Sequence, residues 1–241
     1  MSENRTVRLE RMTRREFREA SEAGRFKAAI IPTGSIEQHL EHMEMRHDIA
    51  SSTYIAERVA DQLYPQVVVA VPMAVGISEH HMFAPGSLTA KPGSWLAVMF
   101  DVVETFIRHG VNKVLILNGH GGNVAPVEGI INQWKRYCNR DHPGANLHFR
   151  SYWDLIPRDF AMDVLKSGNL PGHAQEFETA FALHAFPENV RMEAVADQED
   201  DAPAMATAEQ GKQLADKAVD EVAKFLQFMI DDVVKHEITG L

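Results

Sequence analysis

Short apolar runs recur along the first two thirds of the chain, and each ends at a glycine, a proline or a polar turn. Runs of this length without alternating polar positions are typical of strands that are buried on both faces. The pattern predicts strands over residues 27–32, 67–72, 113–117 and 147–153. The first three are followed by polar loops that contain glycine or histidine.

Helical periodicity fills the segments between and after these runs. It predicts helices over residues 49–63, 95–109 and 124–137, and a long amphipathic helix over 208–236 that covers the core. Gly110 is expected to follow the second helix in the left-handed conformation. Residues 195–207 are rich in Ala, Asp and Glu and are predicted to be an exposed connector.

Strands that alternate with helices indicate the α/β class, with a mainly parallel sheet covered on both faces. In such a sheet the loops after the strands gather at the carboxyl edge, where ligands bind. Motifs that are distant in the sequence are therefore expected to be neighbours in space. No internal repeat or low-complexity segment divides the sequence, so residues 1–241 are predicted to form a single domain.

The composition narrows the class of protein. A net charge of −10 argues against a general nucleic-acid-binding protein, which needs a basic face to neutralise phosphates. Residues 1–10 are polar and charged, and no apolar run approaches the ~20 residues that a membrane helix needs. Cys138 is the only cysteine, so no intramolecular disulfide can form. We expect a cytoplasmic protein that binds neither nucleic acid nor membrane.

The first chemical motif is Gly34-Ser-Ile-Glu37-Gln-His39, with Asp48 downstream. In an extended backbone Glu37 and His39 point to the same side, and Asp48 joins them if the loop folds back. Mixed nitrogen and oxygen ligands of this kind suit Zn²⁺ or Mn²⁺ better than Ca²⁺ or an iron–sulfur cluster. The alternative is a polar surface loop that binds nothing.

The second motif is Asn118-Gly-His120-Gly-Gly-Asn123, which follows a predicted strand. Glycines on both sides of His120 let the backbone turn tightly and approach a bound ion or substrate. The spacing and the missing lysine exclude a phosphate-binding P-loop, and the glycine pattern is not that of a dinucleotide site. An ordinary turn between a strand and a helix remains the alternative.

The third motif is Gly172-His173-Ala-Gln-Glu176-Phe-Glu178-Thr179, near the start of a helix that runs towards Leu183. Glu176 and Glu178 are two residues apart, so on a helix they face different directions and only one is expected to share a site with His173. Either carboxylate is also explained by a favourable position at the start of a helix dipole.

The fourth motif is Gly76-Ile-Ser-Glu79-His80-His81, followed by Pro85-Gly86. Adjacent histidines on a loop can orient a substrate or bind its carboxylate, and they can equally be solvated side chains without a function.

Taken in this order along the chain, the four motifs resemble those of the creatininase (creatinine amidohydrolase) family, over roughly residues 27 to 190. The resemblance implies a three-layer α/β/α sandwich with a mostly parallel central sheet. It also implies a homo-oligomer, often a hexamer, and two divalent metal ions per subunit. These ions are Zn²⁺ or Mn²⁺, with Fe²⁺ as an alternative.

The resemblance also assigns roles to residues. Glu37 and His120 are implied to bind one ion, His39 the other, and Asp48 to bridge them. In creatininase the fifth ligand is a glutamate two residues after the loop histidine, where this chain has Gly122. The resemblance to other members implies that Glu178 replaces it. Proton transfer is then expected from His173 or Glu176, between which the sequence does not choose.

Departures from the family pattern indicate the substrate. Leu40-Glu41 and Arg46-His47 replace a Gly-Pro pair and a small residue. Glu41 and His47, together with His80 and His81, are therefore predicted to bind substrate at the mouth of the pocket. Such a rim suits a polar small molecule, and with Gly122 it argues against creatinine itself.

The predicted function is hydrolysis of a carbon–nitrogen bond in a small, polar, cyclic substrate by a metal-bound hydroxide. The closest alternative is a ring-opening hydrolase that cuts a carbon–carbon bond next to a ketone, as in 3-dehydro-scyllo-inosose. A third hypothesis is a metal-binding subunit without catalytic activity.

Overall fold

The computed structural model describes residues 6–237, and its strands form one parallel sheet. The strands are β1 (Ala28–Thr33), β2 (Val67–Val69), β3 (Lys113–Asn118) and β4 (Asn146–Ser151), in the spatial order β2-β1-β3-β4. All neighbouring pairs are parallel. The strands predicted from the apolar runs are confirmed, although β2 is shorter than predicted and ends at Val69.

The helices are α1 (Arg14–Glu22), α2 (His47–Gln62), α3 (Pro92–Arg108), α4 (Val124–Asp141), α5 (Arg158–Val164), α6 (Glu176–Ala185) and α7 (Ala208–Ile230). Of these, α1 and α5 were not predicted. The helix predicted to reach residue 236 ends at Ile230, and Val233 beyond it is 67% exposed. Gly110 has the expected left-handed backbone, with φ of +87°. Among residues 6–237, no helix is both long and apolar enough to span a membrane.

Alternate strand residues pack on opposite faces of the sheet. Ile30 and Leu115 lie in one apolar cluster with residues of α2, α6 and α7. Ile31 and Ile116 lie in a second cluster with residues of α3 and α4. Both faces are therefore covered, which explains why the strands lack alternating polar positions. The arrangement is the expected α/β/α sandwich.

The segment 195–207 is not the exposed connector that its composition indicated. It contains parts of two 3₁₀ turns, and Val195, Ala202 and Ala206 are buried. Asp200 accepts hydrogen bonds from the backbone N–H of Ala202 and from the side chain of Gln175, just before α6. Ala202 and Ala206 pack inward while Ala196, Ala204 and most of the acidic side chains are exposed, a division that composition alone does not show.

Both outer strands have backbone groups that are already bonded. Val69 of β2 donates its N–H to the carbonyl oxygen of Val7 at 2.8 Å. On the other side, Leu147 of β4 donates its N–H to Nδ1 of His236, also at 2.8 Å. Segments from near the two ends of the described chain thus cover the open edges of the sheet.

The loops after the strands meet at the carboxyl edge of the sheet, as predicted. The loop after β1 contains Glu37 and His39, and the loop after β3 contains His120. A Cβ atom at Gly119 would collide with the carbonyl oxygen of Asp48, at the start of α2. Glycine is therefore required here for the β3 loop to approach the first turn of α2.

Candidate metal centre

The two carboxylate oxygens of Asp48 face two different histidines. Oδ1 lies 3.0 Å from Nε2 of His39, and Oδ2 lies 3.0 Å from Nδ1 of His120. Asp48 lies in the first turn of α2, whereas the histidines lie on the loops after β1 and β3. All three side chains are buried. The structure thus brings two distant motifs together, with Asp48 between them.

Each of these histidines has one ring nitrogen at a backbone carbonyl and the other at Asp48. Nδ1 of His39 lies 3.0 Å from the carbonyl oxygen of Glu37, and Nε2 of His120 lies 3.0 Å from that of Ile77. If a ring N–H is donated to each carbonyl, the remaining nitrogen directs its lone pair at the carboxylate. Metal-binding histidines in proteins are commonly oriented in this way.

Glu37 lies on the His120 side of the cluster. Its Oε2 lies 3.3 Å from Nδ1 of His120 and accepts a 2.6 Å hydrogen bond from Oγ of Ser78. Its Oε1 lies 3.4 Å from Nε2 of His81 and 3.7 Å from Nδ1 of His173. Burial would raise the pKa of Glu37, but the interaction with the nearby His120 ring and the hydrogen bond from Ser78 outweigh it and lower the pKa. Glu37 is therefore an ionised, buried carboxylate.

Glu178 lies on the His39 side, with its Oε2 3.8 Å from Nε2 of His39. Ligand atoms of His39, Asp48 and Glu178 lie within 4.8 Å of one another. Burial raises the pKa of Glu178 to about 8. The charge on His39 opposes this increase, and the charge on Asp48 adds to it. Glu178 thus lies beside the cluster, on the side of His39.

The carboxylates attract positive charge strongly. Burial would lower the pKa of His39, but Asp48 and Glu178 raise it to about 9. Burial also opposes the charged form of His120, and Asp48 and Glu37 raise its pKa to about 10. Burial would raise the pKa of Asp48, but the two histidines hold it well below its usual range. Such an environment stabilises a bound cation.

The donor atoms also fit a divalent metal ion chemically. Within the described residues, Oδ2 of Asp48 is buried and accepts no hydrogen bond, despite its closeness to His120. A buried ionised oxygen without a hydrogen bond is costly unless a cation satisfies it. Imidazole nitrogen and carboxylate oxygen are common ligands of Zn²⁺ and Mn²⁺. The cluster can therefore hold a divalent metal ion.

Gln38 connects two histidines at the outer side of the cluster. Its Nε2 lies 2.9 Å from Nδ1 of His81 and 2.9 Å from Nε2 of His173. The two rings stack, with centroids 4.5 Å apart. Burial, followed by the positive charges of His39 and His81, lowers the pKa of His173 to about 4. His173 is therefore a neutral imidazole held at the edge of the cluster.

His80 and His81 belong to a short 3₁₀ turn, Glu79–His81, after the buried Ser78. His80 is exposed, and its ring is nearly parallel to that of His120, with centroids 5.7 Å apart. Both predicted rim histidines therefore lie beside the cluster.

Glu176 is not brought into the cluster. Its carboxylate accepts hydrogen bonds from the backbone N–H groups of Lys166 at 3.0 Å and Ser167 at 2.6 Å, and from Nε2 of Gln210 at 2.7 Å. Burial would raise its pKa, but the bonds from Ser167 and Lys166 lower it. Glu176 thus connects the loop before α6 to α7.

His47 differs from its predicted position at the mouth, whereas Glu41 stays a prediction. His47 is 2% exposed, because it begins α2 and its ring packs against Phe181 and Phe186. Its pKa is lowered to about 3, first by burial and then by the charge on His39. Glu41 is exposed, and its backbone N–H donates to Gln198.

Asn118 and Asn123 hold the loops together, a role that was not predicted although both lie in the glycine-rich motif. Asn118 donates to the carbonyl oxygen of His120 at 2.7 Å. Asn123 accepts from the N–H of Ile77 at 3.0 Å and donates to the carbonyl oxygen of Gly34 at 3.2 Å. An asparagine at each end of the motif was the available signal, but its partners are distant in the sequence.

Comparison with known proteins identifies the family. The creatininase family model, described as creatinine amidohydrolase, matches residues 10–205. Creatinine amidohydrolase of Pseudomonas putida is 25% identical over 178 residues, which are 70% of this chain and 68% of the relative. The 3-dehydro-scyllo-inosose hydrolase of Thermotoga maritima is 29% identical over 198 residues, which are 80% of this chain and 60% of the relative. A mycofactocin precursor peptide peptidase of Mycobacterium ulcerans is 24% identical over 168 residues, 67% of this chain and 59% of the relative.

Solved structures confirm the fold. A crystal structure of creatinine amidohydrolase superposes with a TM-score of 0.81 at 23% identity, covering 92% of this chain and 97% of the other. A structure of creatininase with Mn superposes with a TM-score of 0.81 at 22% identity, covering 92% and 98%. The matched family model also includes every residue of the buried cluster, from Glu37 to Glu178. The chain therefore belongs to the creatininase family and is a hydrolase with a cluster of residues that can bind metal.

Proposed function

We propose that the chain uses a pair of divalent ions, Zn²⁺ or Mn²⁺, that share Asp48. Glu37 and His120 hold one ion, and His39 and Glu178 hold the other. The observation that supports this arrangement is the division of Asp48, whose two oxygens each lie 3.0 Å from a different histidine. A carboxylate with this geometry is suited to be the ligand that two ions share.

Such a pair of ions, when bound, lowers the pKa of water and polarises a substrate carbonyl. His173 is the residue that we assign to proton transfer. It is half-buried, its low pKa keeps it neutral at pH 7, and its Nδ1 lies 3.7 Å from Glu37. Glu176 is not assigned this role, because its oxygens already accept backbone hydrogen bonds.

The substrate class that we propose is a small, polar, cyclic molecule cleaved at a carbon–nitrogen bond, other than creatinine. The exposed His80 and the half-buried His81 and His173 surround the outer side of the cluster. These imidazoles offer hydrogen bonds to a polar substrate. Glu41 remains a predicted contact, whereas His47 lies too deep to reach a substrate at the mouth.

Ring opening at a carbon–carbon bond is the second candidate. Of the curated relatives described above, the 3-dehydro-scyllo-inosose hydrolase matches the largest share of this chain, at the highest identity. The same buried cluster and the same polar rim serve either reaction. The two differ only in the leaving group, which is nitrogen in one and a stabilised carbanion in the other.

We also propose a homo-oligomer. Several large apolar side chains are exposed on the segment after β2, which also supplies the rim histidines. They are Val71, Val75, Met82, Phe83 and Leu88. Phe83 is 78% exposed, and burial of such side chains against a second copy would remove apolar surface from water.

The first test of the proposed function is metal content, measured by elemental analysis after incubation with Zn²⁺ or Mn²⁺. We expect about two ions per chain in the parent protein and a marked loss in Asp48→Ala. Asp101→Asn, an exposed carboxylate on α3, is the matched control and is expected to retain both ions. A folded parent protein that binds no divalent metal would contradict the proposal.

A substrate screen then separates the two reactions. The metal-loaded protein is incubated with cyclic amides, short peptides and cyclitol ketones. Release of a carboxylate and an amine supports amidohydrolase activity. Ring opening of a cyclitol ketone, without turnover of amides, supports the second candidate instead.

A further inference from the structure

The loop after β2 fills the space beside Gly122. A Cβ atom at Gly122 would collide with the carbonyl oxygen of Ile77 and with Nε2 of His120, and would lie 2.8 Å from Cε1 of His80. A glutamate side chain at this position therefore has no room in this chain. The ring of His80 lies where such a side chain would begin.

His80 is also within reach of the metal cluster. One of its ring nitrogens lies within 4.8 Å of a carboxylate oxygen of Glu37 and of a ring nitrogen of His120. In the described part of the chain, no hydrogen bond or ion pair involves the His80 ring. By contrast, His81 and His173 each have a ring nitrogen bonded to Gln38. Of these three outer histidines, His80 is thus the one with neither ring nitrogen hydrogen-bonded, although His173 also lies within 4.8 Å of ligand atoms of Glu37 and His39.

We infer that His80 is a further ligand of the ion held by Glu37 and His120, an inference that rests on the proposed metal site. His80 completes the coordination from the solvent side. It lies next to Gly122, the position at which creatininase has a glutamate ligand. Two imidazole nitrogens and two carboxylates then surround this ion, since Asp48 is shared with the other ion. Such a donor set is ordinary for Zn²⁺ and Mn²⁺.

Cobalt substitution tests contact between position 80 and the ion directly. A cysteine thiolate bound to Co²⁺ produces a sulfur-to-metal charge-transfer band that nitrogen and oxygen ligands do not give. We expect this band in His80→Cys loaded with Co²⁺ and not in Glu79→Cys, the neighbouring exposed position. The native Cys138 is buried in the apolar core and is common to both variants.

Affinity provides a second readout. In His80→Ala, one of the two ions should bind about tenfold or more weakly in competition with a chelator, since loss of even an outer partner of a metal site has that effect. His109→Ala is the control, because His109 is exposed and its ring lies beside Phe17, away from the cluster. Circular dichroism checks that each variant is folded.

The outcomes separate the two proposals. If the parent binds Co²⁺ but His80→Cys shows no charge-transfer band, His80 is not a ligand, whereas the site of Glu37, His39, Asp48, His120 and Glu178 stands. If the parent binds no Co²⁺, Zn²⁺ or Mn²⁺, the metal site itself is wrong, and the assignment of His80 with it.

Discussion

Glu176 and Glu178 lie two residues apart in the first turn of α6, yet their carboxylates serve different parts of the molecule. Glu176 accepts the backbone N–H groups of Lys166 and Ser167. Glu178 accepts the N–H of Ala174 and faces His39. One helical turn therefore contributes both a structural support and a candidate metal ligand.

Exchange of each carboxylate for an amide should separate these roles. Glu176→Gln places an NH₂ group against donors, so the free energy of unfolding should fall by about 1–3 kcal/mol while metal content is retained. Glu178→Gln should retain most of the stability but lose metal, because an amide is a weaker ligand than a carboxylate. Urea unfolding and elemental analysis of the same samples measure both effects. Loss of metal in Glu176→Gln with unchanged stability would show the opposite assignment.

Gly122 and Gly121 offer a matched pair of substitutions. Gly122→Ala forces a Cβ atom against the carbonyl of Ile77 and the ring of His120. We expect it to destabilise the fold by about 1–3 kcal/mol, as other overpacked sites do, and to weaken metal binding. Gly121→Ala should be nearly neutral, since nothing lies within 4 Å of its Cβ position. Thermal unfolding compares the two, and equal effects would rule out the steric explanation.

Gln38 should control activity through His173. Gln38→Leu removes the amide that lies 2.9 Å from the rings of His81 and His173. A loosely held base loses part of the ~10²–10⁴-fold that acid–base catalysis supplies, so kcat should fall at least about tenfold. Metal content should be unchanged, because Gln38 is outside the proposed ligand set. The measurement is kcat with whichever substrate the screen identifies, and an unaltered kcat would remove Gln38 from the mechanism.

His148 should make stability depend on pH. It is buried in β4 against Phe225, and burial, followed by the charges of Arg150 and Lys135, lowers its pKa to about 3 from 6.5. Below pH 6.5 His148 is therefore protonated in the unfolded chain, whereas in the folded chain it stays neutral down to about pH 3. Stability is lost over that range, by up to about 1.4 kcal/mol per pH unit.

His148→Leu removes this dependence. Its free energy of unfolding relative to the parent should therefore rise steadily as the pH falls from about 7 to about 5, in urea titrations at each pH. A difference that stays constant over this pH range would mean that His148 is protonated in the folded protein.

The sheet and four of its helices follow from hydrophobic pattern alone, because strands buried on both faces and long amphipathic helices leave strong signals. The helices that were missed are short. The N-terminus of α1 was nevertheless marked by Thr13 and Glu16, which form a capping box. The end of α7 was placed six residues too late because Val233 continues the apolar stripe but lies beyond the helix.

The candidate site was predictable to the extent that it depends on the order of the strands. Parallel strands place their following loops at one edge, which brings Glu37, His39 and His120 together. The depth of His47 depends instead on aromatic rings of the distant α6 and of the residue that follows it. The role of Glu176 depends on backbone groups at residues 166 and 167. The sequence near His47 and Glu176 contains no signal for these distant rings and backbone groups.

The bonded edges of the sheet affect how readily copies of this protein aggregate in concentrated solution. An outer strand with free N–H groups is a template for an extended segment of another chain. Here the N–H groups of Val69 and Leu147 are occupied by Val7 and His236. Detachment of either short segment would expose a strand edge while the core stays folded. We therefore expect aggregation through these strands to begin with local opening near the two ends of the described chain, before any global unfolding.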